Sequence, residues 1–119
     1  MPYNQSVGSQ GERDAADFLR GLGATIRETN FRCPVGEIDL IAEMDGALVF
    51  CEVKRRRNTL RGRPAEAVTP SKQRKIIRAA QWYMASHMLP DMLVRFDIIE
   101  ILPGEFNHIP GAFDASGLY

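Results

Sequence analysis

Glu52 and Lys54 stand two residues apart at the end of an apolar run, Val49-Phe50-Cys51-Glu52-Val53-Lys54, and Asp39 lies inside a second run, Glu37-Ile38-Asp39-Leu40-Ile41-Ala42. Asp45-Gly46 between the runs is among the strongest short signals for a two-residue hairpin turn. With those two residues as the turn, Met44 faces Ala47, Ile41 faces Phe50, Asp39 faces Glu52 and Glu37 faces Lys54. Side chains alternate along a strand, so Glu37, Asp39 and Ile41 share a face with Phe50, Glu52 and Lys54. Opposed residues of an antiparallel pair have Cβ atoms roughly 4.5–5.5 Å apart, and like charges so placed are destabilising. A hard cation bridging the two carboxylates is the simplest reason for the pair. Mg²⁺ suits, because it takes one or two carboxylates and completes its shell with waters and substrate phosphates; Mn²⁺ could stand in for it. Lys54 would bring an ammonium beside the outer waters, where it could help a water attack phosphorus or stabilise the charge that develops there. The bland alternative is that these charges are solvated strand ends. Glu-x-Lys alone is weak, but one in register with an acid and followed by an arginine run favours chemistry.

Two further polar residues head helical stripes. Glu12 precedes Ala15, Ala16 and Leu19, and Gln73 precedes Ile76, Ile77, Ala80, Tyr83 and Met84, so both should lean toward a sheet. Glu12 equally suits a first-turn acid favoured by the helix dipole, and Gln73 a solvated position.

The 119 residues carry 15 Lys+Arg and 15 Asp+Glu, a net charge of zero that hides a strong asymmetry. Ten of the 15 basic residues lie between Val53 and Arg78, with Glu66 as the one acid there. Such a distribution suggests one face for a polyanion and another indifferent to it. Arg55, Arg56, Arg57, Arg61, Arg63, Lys72, Arg74 and Lys75 are the candidate contacts to nucleic-acid phosphates. Phosphate contacts position a protein without reading sequence, so backbone- or structure-directed binding is expected.

The elements that must position these groups can be read from period and punctuation. A helix is expected from about Ser9 to Leu22, a strand from Ala24 to Arg32, strands Glu37–Met44 and Ala47–Lys54, and a loop from Asn58 to Thr69. A second helix, capped by Ser71 or Thr69, should run to about His87, with Pro70 near its start. Leu93–Leu102 is a further strand, and beyond Pro103 an irregular tail is expected. Trp82, Met84, Met88 and Met92 could contribute to a dimer interface, with core packing the expected place for most of them. This is an α/β chain, one domain over 1–119 with a core of about 8–102, a mixed sheet flanked by helices in the order αβββαβ.

Hydrophobic residues at 45% and charged residues at 25% exclude collagen-like and wholly disordered chains. No apolar run approaches the ~20 residues that cross a bilayer, and the polar start lacks a signal-peptide pattern. Cys33 and Cys51 are too few for a disulfide scaffold and lack metal-ligand spacing. A cytoplasmic protein with reduced thiols is expected. No Ser/His/Asp arrangement or phosphate-cradling glycine loop offers a rival chemistry; His87 and His108 suit helix-end or loop roles.

The stretch Gly36-Glu37-Ile38-Asp39-Leu40-Ile41-Ala42, the hairpin, and Val49-Phe50-Cys51-Glu52-Val53-Lys54-Arg55 resemble the core of the PD-(D/E)XK nuclease superfamily. More narrowly, roughly Gly8 to Leu102 resembles the bacterial YraN family, which is similar to archaeal Holliday junction resolvases. The resemblance implies a restriction-endonuclease-like fold and Mg²⁺-dependent phosphodiester hydrolysis. It implies Asp39 and Glu52 as metal ligands, Lys54 as the catalytic lysine, Glu12 as the helix acid that helps hold metal or water, and Gln73 as the polar residue on the following helix. Ile38-Asp39 replaces the superfamily's Pro-Asp, which keeps the carboxylate. The leading expectation is a DNA endonuclease, selective for branched or junction structures; cutting a junction symmetrically would need a C₂ homodimer. A non-catalytic nucleic-acid-binding module with a vestigial metal site, or an RNA-directed nuclease, is the alternative.

Overall fold

The computed structural model describes residues 7–57, 68–89 and 91–115. The elements are α1 (Val7–Gly21), β1 (Thr25–Cys33), β2 (Gly36–Met44), β3 (Ala47–Arg55), α2 (Pro70–Ser86), β4 (Leu93–Leu102) and β5 (Glu105–Phe113). One five-stranded sheet forms in the order β1-β2-β3-β4-β5. β3 and β4 are parallel, and the other neighbours are antiparallel. Parallel neighbours need a crossover, and α2 lies within the one between β3 and β4.

Alternation along β3 sets the two layers. Ala47, Val49 and Cys51 pack with Ala15, Ala16 and Leu19 of α1, while Leu48 and Phe50 pack with Ile76, Ile77, Ala80 and Tyr83 of α2. The central strand is therefore apolar on both faces, as a strand covered by helices on both sides must be. The mixed sheet flanked by helices agrees with the α/β expectation and is compatible with a restriction-endonuclease-like core.

Local signals explain the boundaries. Asp45 and Gly46 both have positive φ, 54° and 77°, as the primed turn matching strand twist requires. Thr69 has extended backbone and its hydroxyl accepts the Lys72 N–H, which caps α2, with Pro70 as the first helical residue. His87 ends the helix, its Nδ1 donating to the Tyr83 carbonyl at 2.9 Å.

The expectation of an irregular tail is corrected: Glu105–Phe113 forms β5 along the edge of the sheet. Its pattern is broken by Asn107, Pro110 and Gly111 because an edge strand has one neighbour and much solvent; proline is tolerated there. A buried acid of β4 fastens it. Asp97 accepts two hydrogen bonds from Arg95, one from Nε2 of His108 at 2.7 Å and one from the Gly111 N–H at 3.0 Å. His108 is thus a strand residue, not a loop one. Met84 and Met92 pack against the α2 side, whereas Trp82 and Met88 are exposed, so core packing holds for two of these four residues rather than for most. Cys33 and Cys51 are free thiols, and burial pushes the Cys51 thiol up. Among the described residues no helix is long and apolar enough to cross a membrane.

Candidate metal and phosphate site

The hairpin register predicted from the turn holds from Met44↔Ala47 through Leu40↔Cys51. The directly opposed pairs Asp39–Glu52 and Glu37–Lys54, however, are not part of the ladder. At Asp39 the side chain takes over, its Oδ2 accepting the Val53 main-chain N–H at 2.8 Å. Alternation on β2 breaks at the same place: Ile38 and Ile41 both pack on the α2 side, while Leu40 and Ala42 pack on the α1 side. Across from it, Asn30 has φ 54° between the pairs Thr29↔Leu40 and Phe31↔Ile38, a left-handed conformation that asparagine tolerates better than most residues. The strands part where the like charges would otherwise be forced together.

The parting leaves a cavity of about 180 Å³ lined by Gly36, Glu37, Asp39, Glu52, Lys72, Lys75 and Ile76. Helix α2 can come down on it because position 36 is glycine. A Cβ there would lie 3.1 Å from the Lys75 carbonyl oxygen and 3.7 Å from the Ala79 Cβ. That approach brings the first turn of α2 over the end of β3. Lys72 Nζ lies 3.0 Å from Glu52 Oε2, and Lys54 Nζ lies 3.3 Å from the same oxygen. Glu52 itself is buried.

The electrostatics follow from this crowding. Burial, and then the Glu52 charge, push the Asp39 carboxyl up to about 8, against the pull of the Val53 N–H. Glu12 of α1 is also raised, first by burial and then by Glu37, with Glu52 contributing, and its carboxyl interacts with that of Asp39. Asp39 is therefore within electrostatic reach of both Glu12 and Glu52. Lys54 is lowered by burial and then by Lys72, while Lys72 is raised, chiefly through its contacts with Lys54 and Glu52. Among the described residues no group of three or more His, Cys, Asp or Glu side chains is placed to hold a metal ion. Asp39 and Glu52 offer two oxygen-donor carboxylates to the cavity, a donor type that would suit Mg²⁺ better than a metal preferring thiolate or imidazole.

The other predicted residues are placed as follows. Gln73 turns back, its Nε2 donating to the Val68 carbonyl at 3.0 Å. Lys72, expected at a phosphate, is engaged by Glu52. Arg55 pairs with Asp14 at 2.7 Å. Arg56 pairs with Glu100 at 3.0 Å, and the Glu100 carboxylate is fully buried. That contact is close but poorly aligned, since Glu100 Oε2 has no hydrogen bond. Arg57, Arg74 and Lys75 are exposed. Arg55, Arg56 and Arg57 line a second cavity of about 630 Å³ with Ile101, Leu102 and Pro103. Arg61 and Arg63 lie outside the described residues. The ion pair of Lys72 with Glu52 and the buried acids Asp97 and Glu100 escaped the sequence reading. A charge inside Val94-Arg95-Phe96-Asp97-Ile98-Ile99-Glu100-Ile101 was the available signal for the latter two.

A model of the uncharacterised protein family UPF0102 matches residues 11–101. The chain belongs to that family. It is the YraN group, part of the PD-(D/E)XK nuclease-like superfamily. The UPF0102 protein of Syntrophotalea carbinolica is 47% identical to this chain over 122 residues, spanning 98% of this chain and 99% of the relative. That of Geotalea daltonii is 48% identical, spanning 93% and 91%. That of Clostridioides difficile is 42% identical, spanning 92% and 98%. The family match covers every member of the carboxylate and lysine cluster, from Glu12 to Lys75.

Proposed function

We propose that this protein is a divalent-metal-dependent endonuclease that hydrolyses phosphodiester bonds, with branched or junction DNA as its preferred substrate. The observation that carries this reading is that Asp39 and Glu52, from adjoining strands, face one cavity, with Lys54 and Lys72 both on the Glu52 carboxylate. A carboxylate pair with one member buried and the other half-buried is unfavourable in a protein that does not use it. Asp39 and Glu52 would hold Mg²⁺ or Mn²⁺, with Glu12 beside Asp39. The bound ion would polarise a phosphoryl oxygen and acidify a water.

The chain's own groups supply the rest. Lys54, lowered by burial and then by Lys72, gives up its proton more readily than a surface lysine. Protonated, it stabilises negative charge building on the phosphate oxygens. The Val53 N–H holds Asp39 in place without neutralising it. Lys75 on the cavity wall and Arg57 beyond the strand end present positive charge to the flanking backbone. Binding through such contacts weakens steeply with salt.

A second reading has one observation in its favour. Glu52 is already balanced by two lysines, as it would be in a nucleic-acid-binding module whose metal site is vestigial. A cleavage screen separates the two. Purified protein would be tested with and without Mg²⁺ or Mn²⁺ on four-way, flap, single-stranded and linear duplex DNA and on RNA, with Asp39→Asn in parallel to exclude a contaminating nuclease. Metal-dependent cleavage absent from the variant supports the endonuclease. Binding without cleavage on every substrate overturns it in favour of the binding module.

A further inference from the structure

Two lysines converge on a single carboxylate oxygen, and they are not equivalent. Lys54 sits on β3, two residues from Glu52, with its side chain 26% exposed. Lys72 reaches the same oxygen from another element, the first turn of α2, with its side chain 43% exposed. Its main chain is fixed, because its N–H donates to the Thr69 hydroxyl and Gly36 lets the helix close on β2. Only the flexible stem and the ammonium are free to move, and a lysine head is a compact charge on a four-carbon tether.

Glu52 Oε2 is therefore held from two sides by +1 charges, and its side chain is only 9% exposed. A divalent cation ligated by this oxygen would add two more positive charges within a few ångströms. Such crowding is strongly unfavourable where solvent is scarce. The more exposed of the two ammonium groups can leave at the smaller expense, and its exit leads along the cavity wall it already lines with Lys75.

We infer that Lys72 is an exchangeable counter-ion of this site: its ammonium and a divalent cation compete for the same oxygen of Glu52, so that Lys72 sets the metal affinity. The inference rests on the metal-dependent reading above. Under it Lys72 is a positioning residue for the ion, a role distinct from the phosphate contact that its place in the basic run suggests.

Mn²⁺ affinity, measured by calorimetry at fixed pH and ionic strength, tests this without reference to turnover. Lys72→Met should bind Mn²⁺ roughly tenfold more tightly than the unmodified chain, since one competing charge is gone. Lys72→Gln serves the same purpose if the methionine variant folds poorly, as judged by circular dichroism. Lys72→Arg, which keeps the charge, should stay near the original affinity, as should Arg78→Met on an exposed part of the same helix. Unchanged or weaker Mn²⁺ binding in both neutral variants overturns the inference, as does a gain seen in Lys54→Met but not in Lys72→Met. The two levels fail differently. Mn²⁺ binding that is intact in Glu52→Gln removes the metal reading itself, and the inference with it. Binding that needs Glu52 but ignores Lys72 removes the counter-ion alone.

Discussion

Asp39 Oδ2 accepts the Val53 main-chain N–H at 2.8 Å across the hairpin, one step beyond the last ladder pair, Leu40 with Cys51. A side chain here does what a backbone carbonyl does further along the strands. The bond ends the ladder, lets the strands separate, and fixes the carboxylate beside Glu52 and over the cavity. Because the donor is a backbone group, it orients Asp39 without supplying a compensating full charge.

The uncompensated carboxyl has a consequence for stability. Asp39 is raised from 3.8 to about 8, chiefly by burial and by Glu52. Between those values the folded chain binds a proton that the unfolded chain lacks, so stability is greatest at the acid end and falls as pH rises toward 8. Asp39→Asn keeps an acceptor for Val53 and removes the charge. Thermal unfolding followed by circular dichroism should show the unmodified chain losing stability between pH 5 and pH 8. The variant should show a flatter profile and a higher melting temperature at pH 8.

Catalysis and binding should separate at the two acids. Asp39→Asn and Glu52→Gln are each expected to lower metal-dependent cleavage by about a hundredfold or more, the scale for losing a group that acts on the reacting centre. Nucleic-acid affinity, measured by fluorescence anisotropy, should be retained or tightened, because a like-charge cluster is relieved. Wild-type rates in either variant would remove that residue from the mechanism.

Much of this site was legible because its signals are local. The Asp45-Gly46 turn sets a register that holds through Leu40↔Cys51, and Thr69 with Pro70 marks the start of α2. The misses share a different cause. Asp97 and Glu100 find His108 and Arg56 only through strand neighbours far away in sequence. Lys72 meets Glu52 only because Gly36 admits the helix. β5 reads as a tail because an edge strand needs no alternation strong enough to survive Pro110. Gln73 pointed toward the sheet by period, yet the Val68 carbonyl takes its amide. Periodicity gives direction, whereas partners are set by tertiary approach.

The basic run is not uniform, and single substitutions should show it. Arg56 is the ionic partner of the fully buried Glu100. Arg56→Ala would leave that charge without it and should destabilise the fold by about 3 kcal/mol, read from the denaturant midpoint. Arg57 is exposed beside the second cavity. Arg57→Ala should leave stability within about 0.5 kcal/mol and reduce the slope of log affinity against log salt by roughly one. An unchanged salt slope would clear Arg57 of phosphate contact.

Lys54 differs from both arginines. It touches Glu52 and sits below the ordinary lysine range because burial and then Lys72 disfavour its charge. Lys54→Ala should slow cleavage of bound substrate under single-turnover conditions far more than it weakens binding. Loss of binding with little effect on the single-turnover rate would make Lys54 a positioning group.

If Asp39 and Glu52 jointly grip a divalent ion, an equilibrium Mn²⁺ titration at pH 8 reads that grip without any need for turnover. Saturable binding by the unmodified chain is expected, weakening at least tenfold in Asp39→Asn and in Glu52→Gln, since removing one charged ligand at an exposed-to-buried boundary costs about 1–4 kcal/mol. Superimposable titrations for all three proteins would contradict it.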